Sequence, residues 1–128
     1  MKKHFPPVVV PSGLSFQEQQ YIETTDKKKS IWFVSRICDL ARNLPVFDLP
    51  LVGINTWGLE PKIENWNDWI SHVNKVMNAN LSHPIILSGN GEVMDGRHRI
   101  AKAILYGKKT IKAVRFNVTP DCDFYVDL

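Results

Sequence analysis

Between Pro84 and Phe116 the periodicity of the chain changes three times, and few folds accommodate that order. Pro84-Ile85-Ile86-Leu87 is an unbroken apolar run of the kind that forms a buried strand, Asn90-Gly91 is a two-residue hairpin signal, and Glu92-Val93-Met94 returns as the second strand. Asp95-Gly96 then leads into helical spacing, with Ile100, Ala103 and Ile104 three and four apart on one face. Gly107 is the usual left-handed helix stop, and Thr110 to Phe116 alternates as another strand. Together these segments predict a compact hairpin, helix and strand unit.

The start of that helix is chemically odd. Arg97, His98 and Arg99 fill its first turn, where the helix already carries partial positive charge and each added cation costs about 0.3–1 kcal/mol. Gly96 has no Cβ, so backbone and a ligand can approach closely, and the N–H groups of the turn lack helical partners. Such a turn is an anion site. Phosphate oxygens would convert the clustered cations from a liability into charge-assisted contacts. A plainer reading makes Asp95 an N-cap and pairs the arginines with surface carboxylates. On the residues alone both readings stand.

The rest of the chain narrows the field. Its 128 residues suit one domain with a real core, and a composition of 44% hydrophobic and 23% charged residues is that of an ordinary globular protein. A net charge of +3 and a pI near 8.9 bias it mildly towards anionic partners, short of the strongly basic signature of a dedicated DNA-binding domain. Lys27-Lys28-Lys29 is read as a solvated loop. Cys38 and Cys122 have no metal-site spacing and fit reduced thiols, Cys38 within an apolar helical pattern. The opening MKKHFPPVVV is broken by Pro6, Pro7 and Pro11, so no signal peptide is expected, and no window is long enough for a membrane span. A cytoplasmic protein without a membrane partner is the expectation.

Residues 1–29 read as an N-terminal arm or peripheral layer, with a short helix from Ser15 to Glu23 capped by Ser15 and Glu18; residues 30–128 read as one domain. Ser30 opens a helix with Ile31, Val34, Ile37, Cys38 and Ala41 on one stripe, ending near Asn43. Pro45 and Pro50 make PVFDLPLVGIN extended, with Pro50 at an edge or a strand end. A further helix runs from about Asn65 to Asn80, with Trp66, Trp69, Ile70, Val73, Val76 and Met77 apolar and His72 on its polar surface. Trp57, Trp66 and Trp69 are read as packing residues in preference to a base-stacking platform.

The segment PIILSGNGEVMDGRHRIAKAILYGKKTIKAVRF, about the last third of the chain, resembles the ParB/sulfiredoxin superfamily, whose members carry a strand, a G-x-H-R or G-E-R-R turn and a helix in this order. DLPLVGI is similar to the family's earlier Pro-Leu-x-x-Ile strand. The resemblance implies an α+β fold, a small mixed sheet with flanking helices, here with an N-terminal helical extension. It also implies that Gly96, His98 and Arg99 bind nucleotide phosphates, as the matching residues do for ATP in sulfiredoxin-like members and for CTP in ParB proteins. Arg97 stands where sulfiredoxin has its nucleophilic Cys, so peroxiredoxin repair does not carry over. It also stands where ParB has the Glu of its turn, leaving Asp95 or Glu92 as substitute Mg²⁺ ligands.

Two classes of function follow. The first is a small nucleotide-binding protein for ATP, ADP or CTP, a phosphotransferase or nucleotide hydrolase if catalytic. Gly96, Arg97, His98, Arg99 and Lys102 would hold the phosphates, with Asp95 on Mg²⁺ and Asp95 or Glu92 as catalytic candidates. A kinase of the kind that phosphorylates free serine would also need a carboxylate base, for which Glu60, Glu64 and Asp48 come into question. The alternative is a ParB-like DNA-binding or nuclease module, in which Lys102, Lys108, Lys109 and Lys112 extend the contact with backbone phosphates; a nuclease would need clustered acidic metal ligands, and Asp95, Glu92 and Asp68 are too scattered in sequence to show such a cluster. The short glycine turn and modest charge favour the first. Removing Arg99 should then leave the ligand-free protein at least as stable, because a cation leaves a helix N-terminus.

Overall fold

A computed structural model describes residues 19–128 and the backbone of residues 3 and 4. In chain order the strands are β1 (Lys3–His4), β2 (Gln20–Thr24), β3 (Lys28–Phe33), β4 (Phe47–Pro50), β5 (Ile85–Leu87), β6 (Val93–Asp95), β7 (Thr110–Arg115) and β8 (Phe124–Asp127). The helices are α1 (Val34–Ala41), α2 (Trp66–Met77) and α3 (Arg97–Leu105). The chain is an α+β protein of two compact units, one formed by Met1–Asn43 with Thr119–Leu128 and the other by Leu44–Val118.

The first unit is an antiparallel sheet in the order β1-β8-β3-β2, with α1 following β3. Here the helical readings need correction. Residues 15–18 of the expected Ser15–Glu23 helix lie outside the described residues, and Gln20–Thr24 is a strand. Tyr21 lies opposite Trp32, their ring centroids 5.4 Å apart, and this cross-strand pair outweighs local helical preference. The helix expected from Ser30 begins only at Val34. Ser30 to Phe33 complete a central strand paired on both sides, where β-branched and aromatic residues pack well. The boundary expected between residues 29 and 30 therefore falls inside β3. Within α1, Val34, Ile37 and Ala41 are buried as read, whereas Cys38 is exposed. Of the three lysines expected in a loop, Lys28 and Lys29 lie in β3, and Lys28 Nζ sits 5.0 Å from the centre of the Tyr125 ring.

The second unit is a mixed sheet in the order β4-β7-β5-β6. β4 and β7 are antiparallel, β7 and β5 parallel, and β5 and β6 antiparallel. The parallel pair exists because α3 carries the chain from β6 back across the sheet to β7. Pro50 ends an edge strand, where its missing N–H does least harm. Ile100 and Ala103 of α3 join Ile85, Leu87, Val93, Ile111 and Ala113 in the core, with Leu49, Leu51, Ile54, Leu59 and Leu81 packed against it.

Three local details differ from expectation or refine it. The β5–β6 turn is not a two-residue loop on Asn90-Gly91. Gly91 N donates to Ser88 O (2.9 Å), Ser88 N donates to Glu92 O (2.8 Å), and only Gly91 of the loop has positive φ. A two-residue turn would need positive φ at Asn90, so the chain forms a three-residue loop with a glycine bulge. At Gly107, the left-handed φ of 68° ends α3 as read. In α2, the Asn65 side chain accepts from Asp68 N (2.9 Å) and the Asp68 carboxylate accepts from Glu64 N (3.0 Å), a reciprocal cap.

The tryptophans are the largest departure. Trp57, Trp66 and Trp69 are 88%, 73% and 47% exposed, and Val76 is the one buried residue of α2. Loop leucines and α3 cover the core, so α2 rests on α3 through a narrow strip and its apolar side faces outward.

Candidate functional site

Gly96 opens α3 with φ of +112° and has no side chain of its own with which to cap the helix. The first helical hydrogen bond is Ile100 N to Gly96 O (3.0 Å), which leaves the N–H groups of Arg97, His98 and Arg99 without helical acceptors. The reason for the glycine is internal. A Cβ at Gly96 would lie 2.5 Å from Ile85 Cγ2 and 3.2 Å from Ile85 Cα, so the missing side chain admits β5. The close approach expected to a ligand is an approach to the neighbouring strand.

The cations of the turn divide into two groups. Arg99 points inward: Nη1 donates to Pro84 O (2.7 Å) and His83 O (3.2 Å), and Nη2 donates to Asp95 Oδ2 (2.7 Å). Both side chains of that ion pair are largely buried, at 17% and 13% exposure. The guanidinium thus ties the entry of β5 to the exit of β6, with Asp95 as its ionic partner. Lys102 is likewise engaged, with Nζ donating to Ala79 O (2.7 Å) and Met77 O (3.0 Å) at the C-terminal end of α2. Cations there meet carbonyls that the helix leaves unpaired.

Arg97 and His98 face the other way. Arg97 is exposed and makes no ion pair among the described residues. The His98 ring lies 5.4 Å from that of His72, centre to centre, so the histidine read as a surface residue of α2 belongs to this cluster. Burial, and then the positive fields of Arg97, His72 and Lys75, hold the His98 imidazole below its usual pKa, and Asp95 only partly opposes them. His98 is therefore neutral at pH 7. The cluster offers an oxyanion two cations, two imidazoles and the N–H groups of the first helical turn, and it contains an imidazole able to accept a proton.

The acidic candidates do not gather here. Glu92 lies at the far end of β6 from Asp95 and accepts from Asn55 Nδ2 at 3.3 Å. Asp68 caps α2, Glu64 pairs with Lys62 at 3.5 Å, Asp48 sits on β4 opposite Lys112, and Glu60 is exposed. No three His, Cys, Asp or Glu side chains among the described residues are placed to share a metal. A Mg²⁺ ion on Asp95 would have to compete with Arg99, so the residues present do not fit a protein-held ion. Lys108 and Lys109 follow the opposite end of α3 from Arg97, about 15 Å along the helix.

The sequence reading missed His72 and Lys75. Their spacing of three puts them on one side of α2, but nothing local shows that this side meets α3. Among the described residues no helix is long and apolar enough to cross a membrane. No protein-family model, curated protein or solved structure matches the chain.

Proposed function

We propose that the chain is a ParB/sulfiredoxin-like protein that binds a nucleotide through its terminal phosphates at the start of α3. The observation that carries this reading is the convergence of Arg97 and His98 with His72 and Lys75 of α2 at the first turn of α3. Arg97 and Lys75 set up a positive field at the His98 ring, and an oxyanion bound there relieves it. The passage from β6 through Gly96 to α3 supports the family resemblance, since it repeats the strand, turn and helix order of the motif.

Within this reading Gly96 shapes the turn, Arg97 and His98 contact phosphate with His72 and Lys75, and Arg99 and Lys102 brace the site. ATP, ADP and CTP are the ligands to compare. If the protein is a phosphotransferase or hydrolase, His98 is the group placed to take a proton. The alternative nucleic-acid module has less support, because Lys102 is tied to α2 and Lys108 and Lys109 lie at the other end of α3.

The test is thermal stabilisation by each nucleotide, with and without Mg²⁺, beside titration with labelled duplex DNA. A nucleotide should stabilise the wild type at one equivalent with moderate salt dependence, and Arg97→Ala with His98→Ala should abolish the effect. DNA binding that weakens steeply with salt, without nucleotide stabilisation, would reverse the assignment.

A further inference from the structure

Trp66, Ile70, Val73 and Met77 recur along α2 at spacings of four, three and four residues, the a/d spacing of a helix-pairing seam. They are 73%, 48%, 40% and 51% exposed, and Trp69 beside them is 47% exposed. With ordinary side-chain areas these five residues leave on the order of 600 Å² of apolar surface in water, the upper end of what a monomer shows. That is most of the roughly 800 Å² that each partner contributes to a standard interface.

We propose that α2 pairs with α2 of a second copy of the chain, antiparallel about a two-fold axis. The stripe is complementary to itself in that direction. Ile70 meets the partner's Val73, and Trp66 meets the partner's Met77, a flexible thioether against an aromatic ring. A shallow hollow lined by Ile63, Trp66 and Trp69, with Glu64 and Asn65 at its polar side, lies where that methionine arrives. The stripe carries no charge, and the residues flanking it on its polar side, Asn67 and Asn74, are neutral amides. Two copies therefore bring no like charges together, whereas a polyanion finds no cation on this face. Antiparallel pairing also sets the two helix dipoles favourably.

The experiment is the mass of the full chain in solution, by light scattering and sedimentation equilibrium from about 1 to 200 µM, since an interface of this size belongs in the micromolar range. The wild type should reach twice the 14.7 kDa of the chain. Ile70→Lys should weaken association at least about a hundredfold by burying an unpaired charge, while leaving the melting temperature of the dilute protein unchanged. Mixing Ile70→Lys with Val73→Glu should restore the double mass, because the antiparallel register places the two new charges together. A wild type that stays monomeric throughout overturns the proposal, as does a dimer that persists in Ile70→Lys. A lower melting temperature of monomeric Ile70→Lys would show that the chain covers the stripe itself, and a mixture that stays monomeric would refute the register.

Discussion

α2 and α3 are neighbours in one unit, and both have an apolar side, yet they use it in opposite ways. α3 buries Ile100 and Ala103 against the sheet and anchors its first turn through Gly96 and Arg99. α2 buries Val76 and presents Trp66, Ile70, Val73 and Met77 to water. Periodicity tells which residues share a side of a helix; it does not tell what that side meets. The destination depends on how much surface the sheet offers, and α3 and the loop leucines already cover it.

If α3 is the anchored helix, changes at its start should be severe. Gly96→Val places a branched side chain against Ile85 at a backbone angle that β-branched residues avoid, so a loss of roughly 3–5 kcal/mol is expected in urea unfolding. A variant as stable as the wild type would show that β5 can move away. Arg99→Ala comes next. It strips Asp95 of its partner and leaves two carbonyls without a donor, which should cost about 2–3 kcal/mol. The sequence alone led to the contrary expectation, so an unchanged midpoint would restore Arg99 to the phosphate site.

Lys102→Met keeps the aliphatic stem and removes the two hydrogen bonds to the end of α2. The comparison predicts a loss near 1 kcal/mol, with hydrogen exchange rising in the last turn of α2 more than in α3. Equal exchange in both helices would mean that Lys102 does not hold them together. Arg97→Ala should change stability by less than about 0.5 kcal/mol, because the side chain is exposed and makes no ion pair among the described residues. The same change should remove stabilisation by sulfate, and retention of that stabilisation would move the anion elsewhere.

The smallest effect concerns protons. His98 has a lower pKa in the folded protein than in the unfolded chain. Its contribution to stability is therefore fully present above pH 6.5, falls as the unfolded chain takes up a proton below that value, and levels off below the folded-state pKa. An oxyanion beside the ring favours the imidazolium and opposes this loss. Sulfate keeps its charge over this range and should raise the melting temperature more at pH 5.5 than at pH 7.5 in the wild type, but not in His98→Gln. Equal shifts at both pH values would separate His98 from the anion.

Where a segment's structure depends on its own residues, the sequence was a good guide. The left-handed stop at Gly107, the run from β5 to β7 and the α2 start at Asn65 are of this kind. Prediction failed where other strands decide: Ser30 to Phe33 look helical until β2 pairs along all four and β8 joins Ser30 and Ile31 from the other side. The same division runs through the site. The place of Arg97 and His98 in the first turn of α3 was legible from helical spacing, whereas the partners of Arg99 and Lys102 are carbonyls 15 to 25 residues away. Gly96 was singled out correctly as a tight position, but the atom it makes room for belongs to Ile85.

β8 completes the first sheet between β1 and β3, yet it follows the whole of Leu44–Val118 in the chain. Phe33 N reaches an acceptor only in Asp123, 90 residues further on. During synthesis the second unit can therefore close while β3 still lacks a neighbour on one side, so a growing chain carries an open strand edge until its later residues emerge. Closing a loop of that length should make the first sheet slower to form than the second, which leaves β3 as an exposed edge in the growing chain.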